Sequence, residues 1–253
     1  MNRLTDKQLR SYRDQGFVLL GTILDPPQLA VLQAEELRFR GYCQLSLDGK
    51  QTVLPDGVTL FRNQLGLYSA VVRDFVTHGP HLECLQQLIG PNLCGWFNQF
   101  VTKMPEPDLK KAEFPWHQDN GYADVDPPTN LTVWCALVDT DEKNGCIRVI
   151  PGSHKPGLLP HKGAGASWHQ TVQTTEEGIP VRLRAGEAVA FSGYTLHRSK
   201  QNLTNRPRPA FFMQYADAQA TLGKGGSPVM SGPNAFLVSG QIPYPLPEGF
   251  VAK

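Results

Sequence analysis

Apolar positions along this chain change their period near residue 93. Upstream they recur at helical spacing. Thr5 is placed to cap a helix of about ten residues that ends near Gly16. Phe17-Val18-Leu19-Leu20 reads as a short apolar strand. Asp25-Pro26-Pro27 opens a second helix, with proline in its first turn, and Leu29, Leu32 and Leu37 carry an apolar stripe to about Phe39. Residues 41–60 are turn-rich and weakly patterned, which suits a lid or a surface hairpin. Further helices are predicted from Leu67 to Thr77 and from Pro80 to Ile89, where Gly90-Pro91 stops the second. Downstream, short apolar runs alternate with turns: Cys94 to Lys103, Leu131 to Val138, Cys146 to Ile150, Val181 to Leu183, Ala188 to Phe191 and Ala210 to Tyr215. Short strands after a helical start predict a mainly β fold with flanking helices, a sandwich or small barrel. With no repeat or linker in view, the chain reads as one domain: a helical part over 1–92, a β core over 93–216 and a covering tail over 217–253. Residues 151–178 read as a polar loop.

Composition narrows the function classes. Lys plus Arg is 24 and Asp plus Glu is 23, a net charge of +1, which argues against nucleic acid or an anionic membrane surface as partner. No apolar run is long enough to span a bilayer, and the first residues lack the apolar core of a secretory signal. The five cysteines are odd in number and contain no CxxC pair, as expected of reduced thiols in a cytoplasmic protein. A small-molecule partner, bound by a monomer or homodimer, fits this balance.

The chemistry concentrates in Trp116-His117-Gln118-Asp119. Side chains two apart in extended backbone point to one side, so His117 and Asp119 can share a metal. A second histidine would complete a two-His-one-carboxylate set with open positions, the pattern of non-haem Fe(II) oxygenases. His197 is the favoured third ligand, because Gly186 to Phe191 forms a turn and strand that can feed Leu196-His197. His154 competes, but it follows the turn Pro151-Gly152-Ser153, where histidines more often bond backbone. His78, His81, His161 and His169 suit structural or surface roles. A zinc hydrolase could use the same trio, with about four ligands and one water. Oxygen chemistry needs a co-substrate as well. Arg206 and Arg208, at 9 and 11 residues after His197, offer a guanidinium fork for a carboxylate, and strand parity alone does not separate them.

These residues carry a family resemblance. The Trp116 to Asp119 stretch, Asn144-Gly145-Cys146, Ile150-Pro151-Gly152-Ser153-His154, and Leu196-His197-Arg198-Ser199 with Asn202 and Arg208 resemble the phytanoyl-CoA dioxygenase family. The likeness runs from about Thr5 to Ala216. It implies a double-stranded β-helix, a jelly roll of the cupin kind. It implies Fe(II) ligands at His117, Asp119 and His197, with 2-oxoglutarate and O2 as co-substrates. It selects Arg208 over Arg206 for the far carboxylate of 2-oxoglutarate, and implies further co-substrate contacts at Trp134 and Ser199. Phe100 and Thr102, on the strand before the H-x-D motif, are expected as lining residues. The Asn-Gly-Cys and Pro-Gly-Ser-His turns are structural in this family. Halogenating relatives carry a small residue in place of the carboxylate ligand, so Asp119 favours hydroxylation or another oxidation, with release of succinate and CO2.

The expected substrate is a small aliphatic or alicyclic metabolite oxidised at an unactivated C–H. Its pocket would be lined by residues 41–62, 120–126 and 154–178 and by the tail. Arg62, Lys103, Lys110 and Lys111 could meet an anionic group. A metal-dependent hydrolase or isomerase on the same scaffold is the alternative.

Overall fold

Thr5 caps the first helix through a reciprocal capping box with Gln8, and Gly16 closes it at φ 84, a left-handed position that favours glycine. The computed structural model describes residues 3–45, 59–63, 65–106, 113–163, 170–232 and 235–241. Helices α1 (Asp6–Gln15), α2 (Pro26–Leu45), α3 (Leu65–Tyr68), α4 (Ala70–His78) and α5 (Leu82–Ile89) all precede the β core. The helix expected from Leu67 is broken at Ser69, whose hydroxyl accepts from Val72 N and so starts α4 afresh. The strands are β1 (Phe17–Thr22), β2 (Thr59–Asn63), β3 (Leu93–Lys103), β4 (Phe114–His117), β5 (Val125–Asp126), β6 (Leu131–Ala136), β7 (Ile147–Val149), β8 (Lys162–Gly163), β9 (Gln170–Thr171), β10 (Ile179–Pro180), β11 (Glu187–Ser192), β12 (His197–Ser199), β13 (Arg208–Asp217), β14 (Thr221–Leu222) and β15 (Phe236–Ser239).

Two antiparallel sheets face one another. The larger runs β1-β11-β6-β13-β3-β15, and β2 shares with β15 the far edge of β3. The smaller runs β10-β7-β12-β4. Strands from distant parts of the chain alternate in both sheets, as the double-stranded β-helix requires. The stretch read as a covering tail contributes β15, which pairs with the start of β3. Residues 46–58, the centre of the expected lid, lie outside the described residues, as do Lys110, Lys111, His169, the side chain of Arg62 and the end of the tail.

The larger sheet is buried on both sides, so its strands read as continuous apolar runs. Its outer face carries Phe100, Leu131, Val133, Cys135, Phe211, Met213 and Tyr215 against α2, α4 and α5. The inner face carries Trp134, Ala136, Val189, Phe191, Ala210 and Phe212, and meets Ile147 and Val149 of the smaller sheet. A register shift between Gly95 and Phe97 of β3 opposite Gln214 and Tyr215 marks a bulge. The extra residue lets Trp96 and Phe97, in ring contact at 6.2 Å, both join the inner side. Among the described residues no helix is long and apolar enough to cross a membrane.

Candidate metal centre and carboxylate clamp

His117 ends β4, Gln118 continues in extended backbone, and Asp119 opens a short 3-10 turn. Extension through Gln118 leaves His117 and Asp119 on one side, as the two-residue spacing predicts. β12 lies beside β4 with His197 directly opposite His117, and the two imidazole centroids are 4.1 Å apart. His117 Nε2 is 3.8 Å and His197 Nε2 is 3.6 Å from Asp119 Oδ1. Ligand atoms each about 2.1 Å from one metal lie at comparable separations. The three residues are buried, and their ligand atoms fall within 4.8 Å of one another, the one such group among the described residues.

Each donor atom is oriented from behind. His117 Nδ1 lies 2.8 Å from Pro115 O and His197 Nδ1 lies 3.0 Å from Thr195 O. Those carbonyls fix Nδ1 as the protonated nitrogen and leave Nε2 as the donor toward a metal. Thr132 Oγ1, on the inner face of β6, donates to Asp119 Oδ2, so that Oδ1 is the oxygen facing both imidazoles. Gln118 is buried on the opposite side, where its amide donates to Gly157 O and Tyr194 O and accepts from Leu159 N. This ties the H-x-D segment both to the loop after β7 and to the turn before His197. Gly16 supports the same turn: its carbonyl accepts from Thr195 Oγ1 at 2.8 Å and from Ser192 N at 2.9 Å. Neither Thr132 nor Gln118 could be assigned these tasks from sequence, since each is made by a partner distant along the chain.

His154 stands apart from the cluster, with Nε2 against Arg13 O on the α1 side. His81 is buried against Tyr215, where desolvation holds its pKa at about 3. His161 accepts from Gln118 N, and His78 is exposed beside Asp74.

Arg206 is exposed, whereas Arg208 is 1 % exposed at the start of β13. The Arg208 guanidinium sits 5.2 Å over the Trp134 ring, and its Nε and Nη1 have no hydrogen-bond partner. Burial lowers its pKa to about 10, so it remains a cation at neutral pH. A buried, partly unpaired guanidinium on the inner wall is the feature a carboxylate ligand would complete. Ser199 is buried on β12, two residues beyond His197 and therefore on the same face. Its carbonyl and that of Lys200 accept from the buried Lys103 ammonium at 2.9 and 2.6 Å. Lys103 therefore closes the floor of the site and is not a surface charge awaiting a ligand.

Phe100 and Thr102 require correction. Phe100 packs against Phe39 and Phe211, and Thr102 Oγ1 donates to Glu36 of α2 at 2.5 Å. Both face the helical layer. Their neighbours one position away, Gln99, Val101 and Lys103, share the inward face with Phe97. The physical reason is pleat parity, which a strand buried on both sides does not display in its sequence.

The fold and this geometry agree with known proteins. The family model for phytanoyl-CoA dioxygenase (PhyH) matches residues 12–210. Human peroxisomal phytanoyl-CoA dioxygenase is 25% identical over 239 residues, covering 86% of this chain and 70% of that protein. Ectoine dioxygenase of Bordetella parapertussis is 25% identical over 246 residues, covering 87% of this chain and 77% of its own. Among solved structures, the epimerase SnoN in complex with Fe3+, alpha ketoglutarate and nogalamycin RO superposes with a TM-score of 0.73 at 25% identity, covering 92% of this chain and 98% of SnoN. The chain thus belongs to the phytanoyl-CoA dioxygenase family and is an Fe(II)- and 2-oxoglutarate-dependent oxygenase.

Proposed function

We propose that His117, Asp119 and His197 hold Fe(II), that Arg208 takes the far carboxylate of 2-oxoglutarate, and that the enzyme oxidises an unactivated C–H of a small metabolite. The observation that carries this reading is the unpaired Arg208 guanidinium buried on the sheet opposite the three donors. A hydrolase or isomerase would need the metal and a water but no buried cation across the cavity. Fe(II) with 2-oxoglutarate and O2 supplies oxidising power for C–H cleavage, with succinate and CO2 as co-products.

The protein's own tasks are orientation and exclusion of water. Pro115 O and Thr195 O set the imidazole tautomers and Thr132 sets the carboxylate, so that His117, Asp119 and His197 would hold Fe(II) and leave room beside it for the co-substrates. Trp134 covers the guanidinium with its ring, and the buried Ser199, on the same face of β12 as His197, supports the reading that its hydroxyl serves as a second donor to the co-substrate. Phe191, packed 4.6 Å from the His197 ring, and the apolar inner walls keep bulk water from the reacting centre. The free buried thiols Cys84, Cys94, Cys135 and Cys146 support a reducing, cytoplasmic setting.

The test is succinate release by purified enzyme with Fe(II) against Zn(II), and by His117→Ala and Asp119→Ala. Turnover should require Fe(II) and 2-oxoglutarate and fall at least a thousandfold in both variants, about 4 kcal/mol of transition-state stabilisation. Metal-dependent turnover without consumption of 2-oxoglutarate would refute the assignment.

A further inference from the structure

We infer that Gln99 and Gln214 form a carboxamide subsite that selects an uncharged substrate ring bearing a carbonyl or hydroxyl group. The inference rests on the oxygenase reading and narrows its substrate class. The inner wall of the larger sheet is arranged in rungs set by strand register. Arg208 pairs with Lys103 at the floor. Above them lie Ala136, Ala210 and Val101, then Trp134, Phe212 and Gln99, then Thr132, Gln214 and Phe97. Thr132 touches the carboxylate of Asp119, so the top rung is level with the metal ligands. Gln214 is the immediate cross-strand neighbour of Thr132, and Gln99 lies diagonally below it.

These two amides differ from the other inward carboxamides of the site. Gln118, Asn120, Asn130 and Asn202 are each engaged by protein partners. Asn98, the neighbour of Gln99 on the opposite face, accepts from Gly66 N. Gln214 is only 7 % exposed, yet among the described residues its side chain has no hydrogen-bond partner, and the half-buried Gln99 has none among them either. A carboxamide on the cavity wall with no protein partner keeps its donors and acceptor for a molecule that enters the cavity. The surroundings suit a ring: Phe97 meets Phe212 edge to face at 6.1 Å, and Trp96 extends the aromatic wall. On these upper two rungs the described inward side chains include no cation that could neutralise a carboxylate or phosphate. Each carboxamide presents one acceptor and two donors, which matches hydroxyl, ketone or lactam groups.

The experiment uses full-length enzyme loaded anaerobically with Fe(II) and 2-oxoglutarate, and reads the visible charge-transfer band of that chelate. Cyclohexanone, cyclohexane-1,2-diol and δ-valerolactam are titrated against cyclohexanecarboxylate and cyclohexyl phosphate. The uncharged rings should perturb the band, with apparent Kd raised about tenfold in Gln214→Leu and in Gln99→Leu, equivalent to ~1.4 kcal/mol. Should Gln214→Leu fail to fold, Gln99→Leu at the half-buried position carries the comparison. Equal or stronger perturbation by the anionic rings, no perturbation by any ring, or unchanged affinity in the variants would overturn the inference while leaving the oxygenase reading intact. Absence of the band in the wild type would instead overturn that reading, and the inference with it.

Discussion

Arg208→Met separates what the guanidinium costs the empty fold from what, on the proposed assignment, it would give the co-substrate. Methionine keeps an unbranched apolar stem in place of the arginine stem and removes the charge. Burial lowers the Arg208 pKa from 12.5 to about 10. At 1.36 kcal/mol per unit, that corresponds to about 3 kcal/mol of disfavoured charge in the folded protein. The sign follows from linkage: between the folded and unfolded values the unfolded state binds more protons, so stability rises with pH only above about 10. At neutral pH the full cost is present. Loss of the cation–π contact with Trp134, 5.2 Å away, offsets roughly 1–2 kcal/mol of it. Arg208→Met should therefore melt about 2–6 °C higher than wild type without ligands. Removing a charge-assisted pair costs roughly 3 kcal/mol of affinity, so 2-oxoglutarate should bind about a hundredfold more weakly. Differential scanning calorimetry gives the first quantity and anaerobic calorimetric titration of the Fe(II) enzyme gives the second. An apo melting point lowered by several degrees, or 2-oxoglutarate affinity within threefold of wild type, would refute the argument. Arg206→Ala, at an exposed position, serves as the control.

Two further predictions concern the supports behind the site. Thr132→Val keeps the shape of the side chain but removes the hydroxyl that orients Asp119; Fe(II) affinity by competitive chelation should fall about ten- to a hundredfold while the melting temperature moves little. Retention of wild-type affinity would show that Asp119 is held by other means. Gly16→Ala introduces a Cβ at φ 84, 2.5 Å from His154 Nδ1 and 2.6 Å from Thr195 Oγ1. Urea denaturation should show a loss of about 2 kcal/mol or more, from left-handed strain plus displacement of both side chains, and a change below about 0.5 kcal/mol would contradict it.

The cluster of His117, Asp119 and His197 was legible because its signal is local. His117 and Asp119 are two residues apart, and His197 follows an apolar strand and turn that return it to the same sheet. Arg208 was harder: it shares parity with Arg206, and only the onset of β13 at residue 208 separates the buried guanidinium from the exposed one. The face of β3 was not legible. Phe97 and Phe100 are both apolar, both sides of the strand are covered, and the bulge near Gly95 resets parity midway. Thr102 looks like a pocket residue until Glu36 approaches it from α2. Thr132, Gln99 and Gln214 carry no motif; their meaning comes from cross-strand neighbours. β15 was missed because a four-residue edge strand, Phe236–Ser239, offers too short a period.

The site divides its work between two sheets, and this decides which contacts matter most. The smaller sheet and the turn after it hold the three donors, while the larger sheet holds the guanidinium. Facing sheets stand roughly 10 Å apart, so on the proposed assignment a co-substrate joining the two centres would bridge the gap between them. Sheet separation and shear therefore set the reach of the site as directly as any side-chain rotamer. Three polar links fix that relation. Thr132 to Asp119 joins the sheets beside the metal ligands. Lys103 to the Ser199 and Lys200 carbonyls joins them at the floor. Asn202, bonded to Lys103 O and Arg206 O, closes the same end from the loop that leads into Arg208. On the proposed assignment, Asn202 and Lys103 would act on the oxygenase without touching metal or substrate, by holding the two walls at the spacing that a five-carbon diacid would span.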